Sequence, residues 1–350
     1  MLAVAHTPGA GERARQLLGQ FPNAHVVRPP PGIRGMVSAG RQVLTSRAKV
    51  LYLVDIGKTT APAAVLGRLM GKRVIVDTGD ACFALARSLG DRNFVGLLIV
   101  GLAEQLALRS ANEIVVRGRA HAAHVPRRAT YIPDLPPEGA RPVPAAELCS
   151  ALDLDGTFVV GIVGSLIFSP HHRVSYGWDL IEALAYTDPE VVALIVGDGS
   201  GLEPLRTRAH ELGVTDRCRF VGRVPAERVH EYVNAMNAAI STQTNDIVGQ
   251  VRTTAKLPLY LACGCPVLAS HVGEAAILLG DLGWTLPYNG VVDREYPRRL
   301  ANVIESWRLS PADQPSRRTA ALGLAREAFD PQEMQERLAN VISRAVQTAS

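Results

Sequence analysis

Lys256 is the residue whose surroundings point most directly to chemistry. It lies in RTTAKLPLYLACGCPVLASHVGEA, Arg252 to Ala275, a stretch with polar residues at both ends and an apolar middle. Pro258 has no N–H to donate, so it belongs in the first turn of a helix, with Thr253 or Thr254 near the cap. The free backbone N–H groups of such a helix start carry a partial positive charge, and Lys256 adds a full one. Together they would suit a diphosphate. The plainer alternative is a lysine that solvates a surface.

Three glycine turns follow three successive apolar runs. GIVGSLIFSPHHR places Gly164 and Ser165 after the first, VGDGSG places Gly197 and Gly199 after the second, and FVGRV places Arg223 and Val224 at the third. Glycine lets backbone N–H groups come close to a phosphate, and ligands of open α/β sheets gather at the carboxyl ends of strands. One such turn is usually only a turn. Three at neighbouring strand ends would line one edge. No paired carboxylates and no His/Cys cluster has metal-ligand spacing. His121 and His124 stand three apart with no third ligand beside them, and read as surface or capping histidines. The five scattered cysteines read as buried small thiols in a reducing compartment.

The chain's 350 residues allow one large domain or two ordinary ones. Its formal charge of +4 hides an asymmetry. Residues 1–150 hold 16 Arg and 3 Lys against 10 acids, and the rest hold 18 bases against 23 acids. A basic front half suggests an anionic partner, such as a phospholipid surface, a lipid-linked phosphate or an acidic sugar. An arginine-biased composition is the simpler alternative. Nucleic acid is disfavoured by the few aromatics and the lack of a reading motif. The apolar stretch FVGLLIVGLA from Phe94 stops at Glu104, too short for a membrane span, and is expected to be a buried or amphipathic helix face. The N-terminus lacks the pattern of a signal peptide. A cytoplasmic protein, peripheral to the inner face of the membrane at most, is expected.

These groups need elements to position them. LAVAH, HVVRP, VLYLVD, RVIVDTGD and NEIVVRG read as strands of a front domain. TFVVGIVG, VVALIVGDG, CRFVGRV, AAISTQT and CPVLAS read as strands of a second. Helical patterns between them, at Trp178–Tyr186, Leu202–Leu212 and Glu227–Met236, imply parallel sheets with crossover helices. Proline-rich YIPDLPPEGARPVPAAE breaks both periodicities and reads as a linker. The expected division is a Rossmann-like domain over 1–135, a linker over 136–150, a second such domain over 151–325, and a C-terminal helix over 326–350 that crosses back to the first. The class is α/β, with two doubly wound domains facing across a cleft.

In order and spacing, the rear half resembles the family 4 retaining glycosyltransferases of GT-B architecture. ALIVGDGSGLEPLRTRAHELGVTDRCRFVGRVPAERVHEYVNAMNAAIS is similar to that family's central block, and KLPLYLACGCPVLASHVGEA to its donor-site helix, strand and glycine loop. At the front, HTPGAGERARQLLGQF resembles its glycine-rich loop, which would put Gly9 and Gly11 on the acceptor side. The resemblance implies that the rear domain holds a nucleotide-sugar and that no metal or other cofactor is needed. It places Gly273 and Glu274 near the donor sugar. Many members carry two glutamates where this chain has Val251 and Leu259. The family's basic pair aligns with Ser165 and Tyr176, which makes Arg173 the substitute cation. Its frequent His-Asp aligns with Gly79-Asp80, so Asp77 and Asp80 are expected to face the cleft.

The resemblance therefore implies retaining, metal-independent transfer of a sugar from a nucleotide diphosphate to an acceptor hydroxyl, with Lys256, Arg173 and Glu274 as catalytic groups. The expected acceptor is a glycan, a lipid-linked sugar or a small molecule, as in polysaccharide or glycoconjugate synthesis. The missing glutamates keep a rival open: an inactive GT-B-like partner that only binds nucleotide-sugar. A sugar-nucleotide 2-epimerase is a second rival.

Overall fold

The computed structural model describes residues 1–90, 92–253 and 255–347. Of the residues singled out above, Thr254 lies outside them. The chain forms two compact units. Met1–Leu135, Gln250–Thr253 and Phe329–Ser350 make a front unit, and Pro136–Gly249 with Thr254–Ala328 make a rear unit.

The front unit runs β1 (Leu2–Ala5), α1 (Pro8–Leu18), β2 (His25–Val27), α2 (Ile33–Thr45), β3 (Val50–Val54), α3 (Thr60–Leu69), β4 (Arg73–Thr78), α4 (Cys82–Leu89), α5 (Phe94–Ser110), β5 (Glu113–Val116) and β6 (Ala129–Tyr131). Its six strands are parallel in the order β2-β1-β3-β4-β5-β6. A parallel sheet is covered on both faces, so its central strands need continuous apolar runs. VLYLV of β3 is buried at every position. On one face Ala39 and Val43 of α2, Ala61 and Ala64 of α3, and Ala107 and Leu108 of α5 pack on Leu51, Leu53, Val74 and Val76. The connection from β1 to β2 runs the other way along the sheet, and right-handed crossovers then put α1 on the opposite face.

The stretch from Phe94 departs from the expected buried or amphipathic face. The first three turns of α5 are apolar all round, and only Ala107 and Leu108 near its end are fully buried. Phe94, Leu98 and Leu102 stand exposed.

The rear unit runs α6 (Ala146–Ala151), β7 (Phe158–Val163), β8 (Phe168–Ser169), β9 (Val174–Ser175), α7 (Trp178–Leu184), β10 (Val191–Val196), α8 (Leu202–Glu211), β11 (Cys218–Gly222), α9 (Val229–Asn234), β12 (Ala238–Ser241), α10 (Ile247–Val251), α11 (Lys256–Ala262), β13 (Val267–Ser270), α12 (Gly273–Leu279), β14 (Thr285–Leu286), α13 (Tyr296–Arg308) and α14 (Gln314–Ala328). Residues 136–145 hold no helix or strand. The main sheet is again parallel, in the order β11-β10-β7-β12-β13-β14. The antiparallel pair β8–β9, unforeseen in the sequence, brackets Pro170 to Arg173. α15 (Pro331–Gln347) belongs again to the front unit, where it packs on α1, β3, β4 and β5. Both units are Rossmann-like, as expected. Among the described residues no helix is long and apolar enough to cross a membrane.

Candidate functional site

The rear unit brings its three glycine turns together. Gly164 N–H donates to Val196 O at 2.9 Å, Gly197 N–H to Gly222 O at 2.8 Å, and Leu166 N–H to Asp198 O at 3.0 Å. The tips of β7, β10 and β11 thus form one rim. Gly164 and Gly197 have φ of +135° and +144°. A Cβ on Gly197 would lie 1.9 Å from Gly164 O, and one on Gly199 2.2 Å from Leu166 O, so only glycine permits this loop contact. The amides themselves are engaged, however. Gly164 and Gly197 bond to neighbouring tips, and Gly199 N–H donates to Asp198 Oδ1 at 2.7 Å. This corrects the idea that the Gly164 amide reaches out to a phosphate: these glycines pack loop against loop. Ser165 and Arg223 are exposed beside them, with Val224 half-buried.

Lys256 opens α11, with Pro258 in the first turn and Ala255 as an N-cap without a side-chain bond. Thr253 does not provide the cap. It belongs to the front unit, and its buried hydroxyl has no hydrogen-bond partner among the described residues. Lys256 Nζ lies 3.3 Å from the centre of the Tyr176 ring. Its Cε packs so closely over Gly164 that a Cβ there would come within 2.6 Å. One turn further along α11, Tyr260 shares the lysine's face. Its hydroxyl accepts from Val163 N–H at 2.7 Å, which fastens α11 to the end of β7. Tyr176 OH donates to Ile240 O of β12 at 2.8 Å. Burial raises both phenols' pKa values, so each stays neutral. Lys256 is therefore held at the rim by a ring, a glycine and an anchored helix.

The other expected catalytic groups are placed differently. Arg173 sits exposed in the β8–β9 turn with φ of +57°, and among the described residues no hydrogen bond or ion pair ties its guanidinium to the rim. Gly273, at φ of +54°, begins α12. Glu274 in that first turn is only 4% exposed. Val251 and Leu259 are buried as well.

The front unit holds a cavity of about 320 Å³ at the carboxyl ends of β1, β3 and β4, walled by α4 and α5. The order β2-β1-β3 makes the gap between β1 and β3 a topological switch point, where open α/β sheets take ligands. Its polar lining includes His6, Asp55 and Asp80, set among Leu85, Leu89 and Val100. His6 Nδ1 lies 2.8 Å from Thr59 Oγ1. Burial lowers its pKa, which favours the neutral ring. Asp80 also pairs with Arg252 at 3.2 Å.

Asp77 does not line this cavity. It is fully buried and accepts from Arg13 Nε at 2.9 Å, from Arg117 Nε at 3.3 Å and from Tyr52 OH. Arg13 also donates to Pro133 O and Ile132 O, both at 2.7 Å, and Arg117 pairs with Asp55. Asp77, expected to face the cleft, is instead a fully buried hub that joins α1, β3, β5 and the segment after β6. Gly9 and Gly11 form no glycine loop. They lie in α1, and a Cβ on either would meet nothing closer than 3.9 Å. Thr7 caps that helix, accepting from Ala10 N–H at 3.1 Å and donating to Asp55 Oδ2 at 3.1 Å.

His121 is buried rather than surface-lying, with its pKa lowered by burial to about 4, and His124 is exposed. Among the described residues no group of three or more His, Cys, Asp or Glu could hold a metal. Sequence reasoning missed Tyr176, His6 and Asp55. The last two had a signal, since each is the polar residue closing an apolar strand run.

Several known proteins resemble this chain. Residues 168–321 match the family model "Glycosyl transferases group 1". A curated relative, D-inositol 3-phosphate glycosyltransferase 2 of Catenulispora acidiphila, is 37% identical over 95 residues, which is 26% of this chain and 21% of the relative. Only about a fifth of that relative's length is matched. Anabaena HepE, solved with UDP-glucose, superposes with a TM-score of 0.73 at 19% identity over 98% of this chain and 99% of its own. Sucrose-phosphate synthase from Thermosynechococcus elongatus gives 0.73 at 16% identity, over 100% and 99%. At such identities these structures establish the fold.

Proposed function

We propose, from a rear unit that matches the glycosyl transferases group 1 model and a chain that shares the fold of its structural neighbours, that this protein transfers a sugar from a nucleoside diphosphate to an acceptor hydroxyl. The observation that carries the reading is Lys256, immobilised over Gly164 and Tyr176 at the rim of the rear sheet, within the matched segment. Anabaena HepE was solved with UDP and with UDP-glucose, which supports a UDP-sugar as the first donor to try.

The barrier to such a transfer is mostly charge separation. The diphosphate gains negative charge as the sugar becomes oxocarbenium-like. A cation already fixed beside the departing phosphate stabilises that charge without reorganising, and one such group typically supplies about 3 kcal/mol. Lys256 fills that role, with exposed Ser165 and Arg223 close to the same strand tips. Transfer proceeds with retention and without metal, the departing phosphate itself taking the acceptor proton. The acceptor is a lipid-linked or other amphiphilic glycan. The front cavity favours this, because it combines neutral His6 and Asp80 with apolar walls from α4 and α5.

Thermal-shift titration with UDP and UDP-glucose tests the donor half. At a hundredfold excess over Kd, binding stabilises by about 2.7 kcal/mol. Product analysis with UDP-glucose tests the transfer half. Donor binding without any hydrolysis or transfer would favour the inactive-partner reading, which the buried Val251 and Leu259 motivate.

A further inference from the structure

The outer side of the front unit is the wrong composition for water. On α5, Phe94 is 80% exposed, and Leu98, Leu102 and Leu106 follow it at intervals of four along one side, each at least 42% exposed. Ala107 and Leu108, near the end of the helix, are by contrast buried in the front core. α3 packs between α5 and α2. α2 exposes Ile33, Val37 and Leu44, and α3 ends on Leu69, itself 80% exposed. Scattered exposed apolar residues are ordinary in soluble proteins, but this many on one helical layer mark an interaction surface.

The charges on the same four helices have one sign. α2 to α5 carry Arg34, Arg41, Arg68, Arg87 and Arg109, all exposed, and a single acid, Glu104. Glu104 is spent internally, accepting from Cys82 N–H at 2.6 Å and Phe83 N–H at 3.1 Å to cap α4.

We propose that the outer side of α2, α3, α4 and α5 docks on an anionic phospholipid bilayer, its Phe and Leu side chains entering the headgroup–acyl boundary while the arginines meet lipid phosphates. An apolar stripe flanked by arginine is the chemistry of an interfacial helix, and arginine stems can lie along apolar surface with their heads in the polar layer. A second copy of the chain fits poorly. A two-fold pairing would bring two like-charged basic faces together. The front cavity shares α4 and α5 as walls. On the reading that this cavity takes the acceptor, docking would bring it beside a lipid-anchored one.

Vesicle co-sedimentation tests the surface without donor or acceptor. The intact protein is expected to pellet with vesicles containing phosphatidylglycerol, to do so less as salt rises, and to stay in solution with pure phosphatidylcholine. Leu98→Gln with Leu102→Gln, and separately Arg87→Gln with Arg109→Gln, should each weaken binding about tenfold or more. Both pairs are exposed, and an unchanged melting temperature shows that the fold is intact. No vesicle binding by the unmodified protein overturns the proposal. So does a solution dimer that Leu98→Gln dissociates, because a second copy would then be the occupant. The response to UDP is read separately, so failure here leaves the transfer reading standing.

Discussion

The ammonium of Lys256 lies 3.3 Å from the centre of the Tyr176 ring, and the hydroxyl of that ring donates to Ile240 O. A cation over an aromatic face gains about 0.5–2 kcal/mol, and here the ring is itself fixed to the sheet. Lys256→Ala is expected to abolish the UDP-induced thermal shift and to lower kcat/KM for the donor by about 10²–10³. Tyr176→Phe keeps the ring and should stay near the parent, whereas Tyr176→Leu should lose a good part of the lysine's effect. An unchanged UDP shift in Lys256→Ala would remove this residue from the phosphate site.

Gly164 is the floor on which Lys256 lies. Its φ of +135° strains any L residue, and a Cβ would come within 2.6 Å of the lysine Cε. Gly164→Ala should therefore push the ammonium off the rim as well as strain the loop. The expected result is a raised Kd for UDP by calorimetry together with a loss of about 1–3 kcal/mol in denaturant unfolding. Gly213→Ala, at φ +68° with open space around it, supplies a control for backbone strain alone.

Asp77 should matter for stability, and Asp80 far less. Removing one partner from a buried charge network leaves the others uncompensated, at a cost of about 3–5 kcal/mol. Asp77→Ala takes the central carboxylate from Arg13 and Arg117, and urea unfolding should show a loss of up to that order. Asp80 is 39% exposed and pairs with an equally exposed Arg252. Asp80→Asn is expected to change stability by less than about 1 kcal/mol. Any effect on acceptor use would appear in KM.

Asp179, in the first turn of α7, has its pKa raised to about 7 by burial and by the nearby charges of Glu182 and Asp293. The folded protein then holds this proton more tightly than the unfolded chain does. Its contribution is fully present below about pH 4 and is lost as pH rises through about 7. Asp179→Asn removes the ionisation. The variant's Tm should fall less than the parent's over that range, as followed by circular dichroism. Parallel Tm curves would show that Asp179 is not the group responsible.

The strands were legible because parallel sheets leave a continuous apolar signature, as in VLYLV and VVALIV. The place of Lys256 at a helix start was legible too: it is the only lysine after Lys72, and it stands two residues before a proline of the first turn. Asp77 was misread because its partners are remote. Arg13 is 64 positions away and Tyr52 is 25, so nothing local distinguishes a buried hub from a polar strand tip. The glycine turns were read correctly as a row at one edge but not in detail, because a sequence does not show which carbonyl an amide will find. FVGLLIVGLA was misplaced for a different reason. Apolar periodicity says that a face avoids water, and leaves open whether protein or something else covers it.

The return of α15 to the front unit has a consequence for synthesis. Met334, Leu338, Val341 and Ala345 of that helix are all buried there. A ribosome makes the chain from the other end, so β1 to β6 emerge long before this cover does. The rear unit, contiguous apart from Gln250–Thr253, can close while the front sheet still has one face covered only by α1. Nascent chains halted before Pro331 should accordingly be the ones that chaperones hold longest.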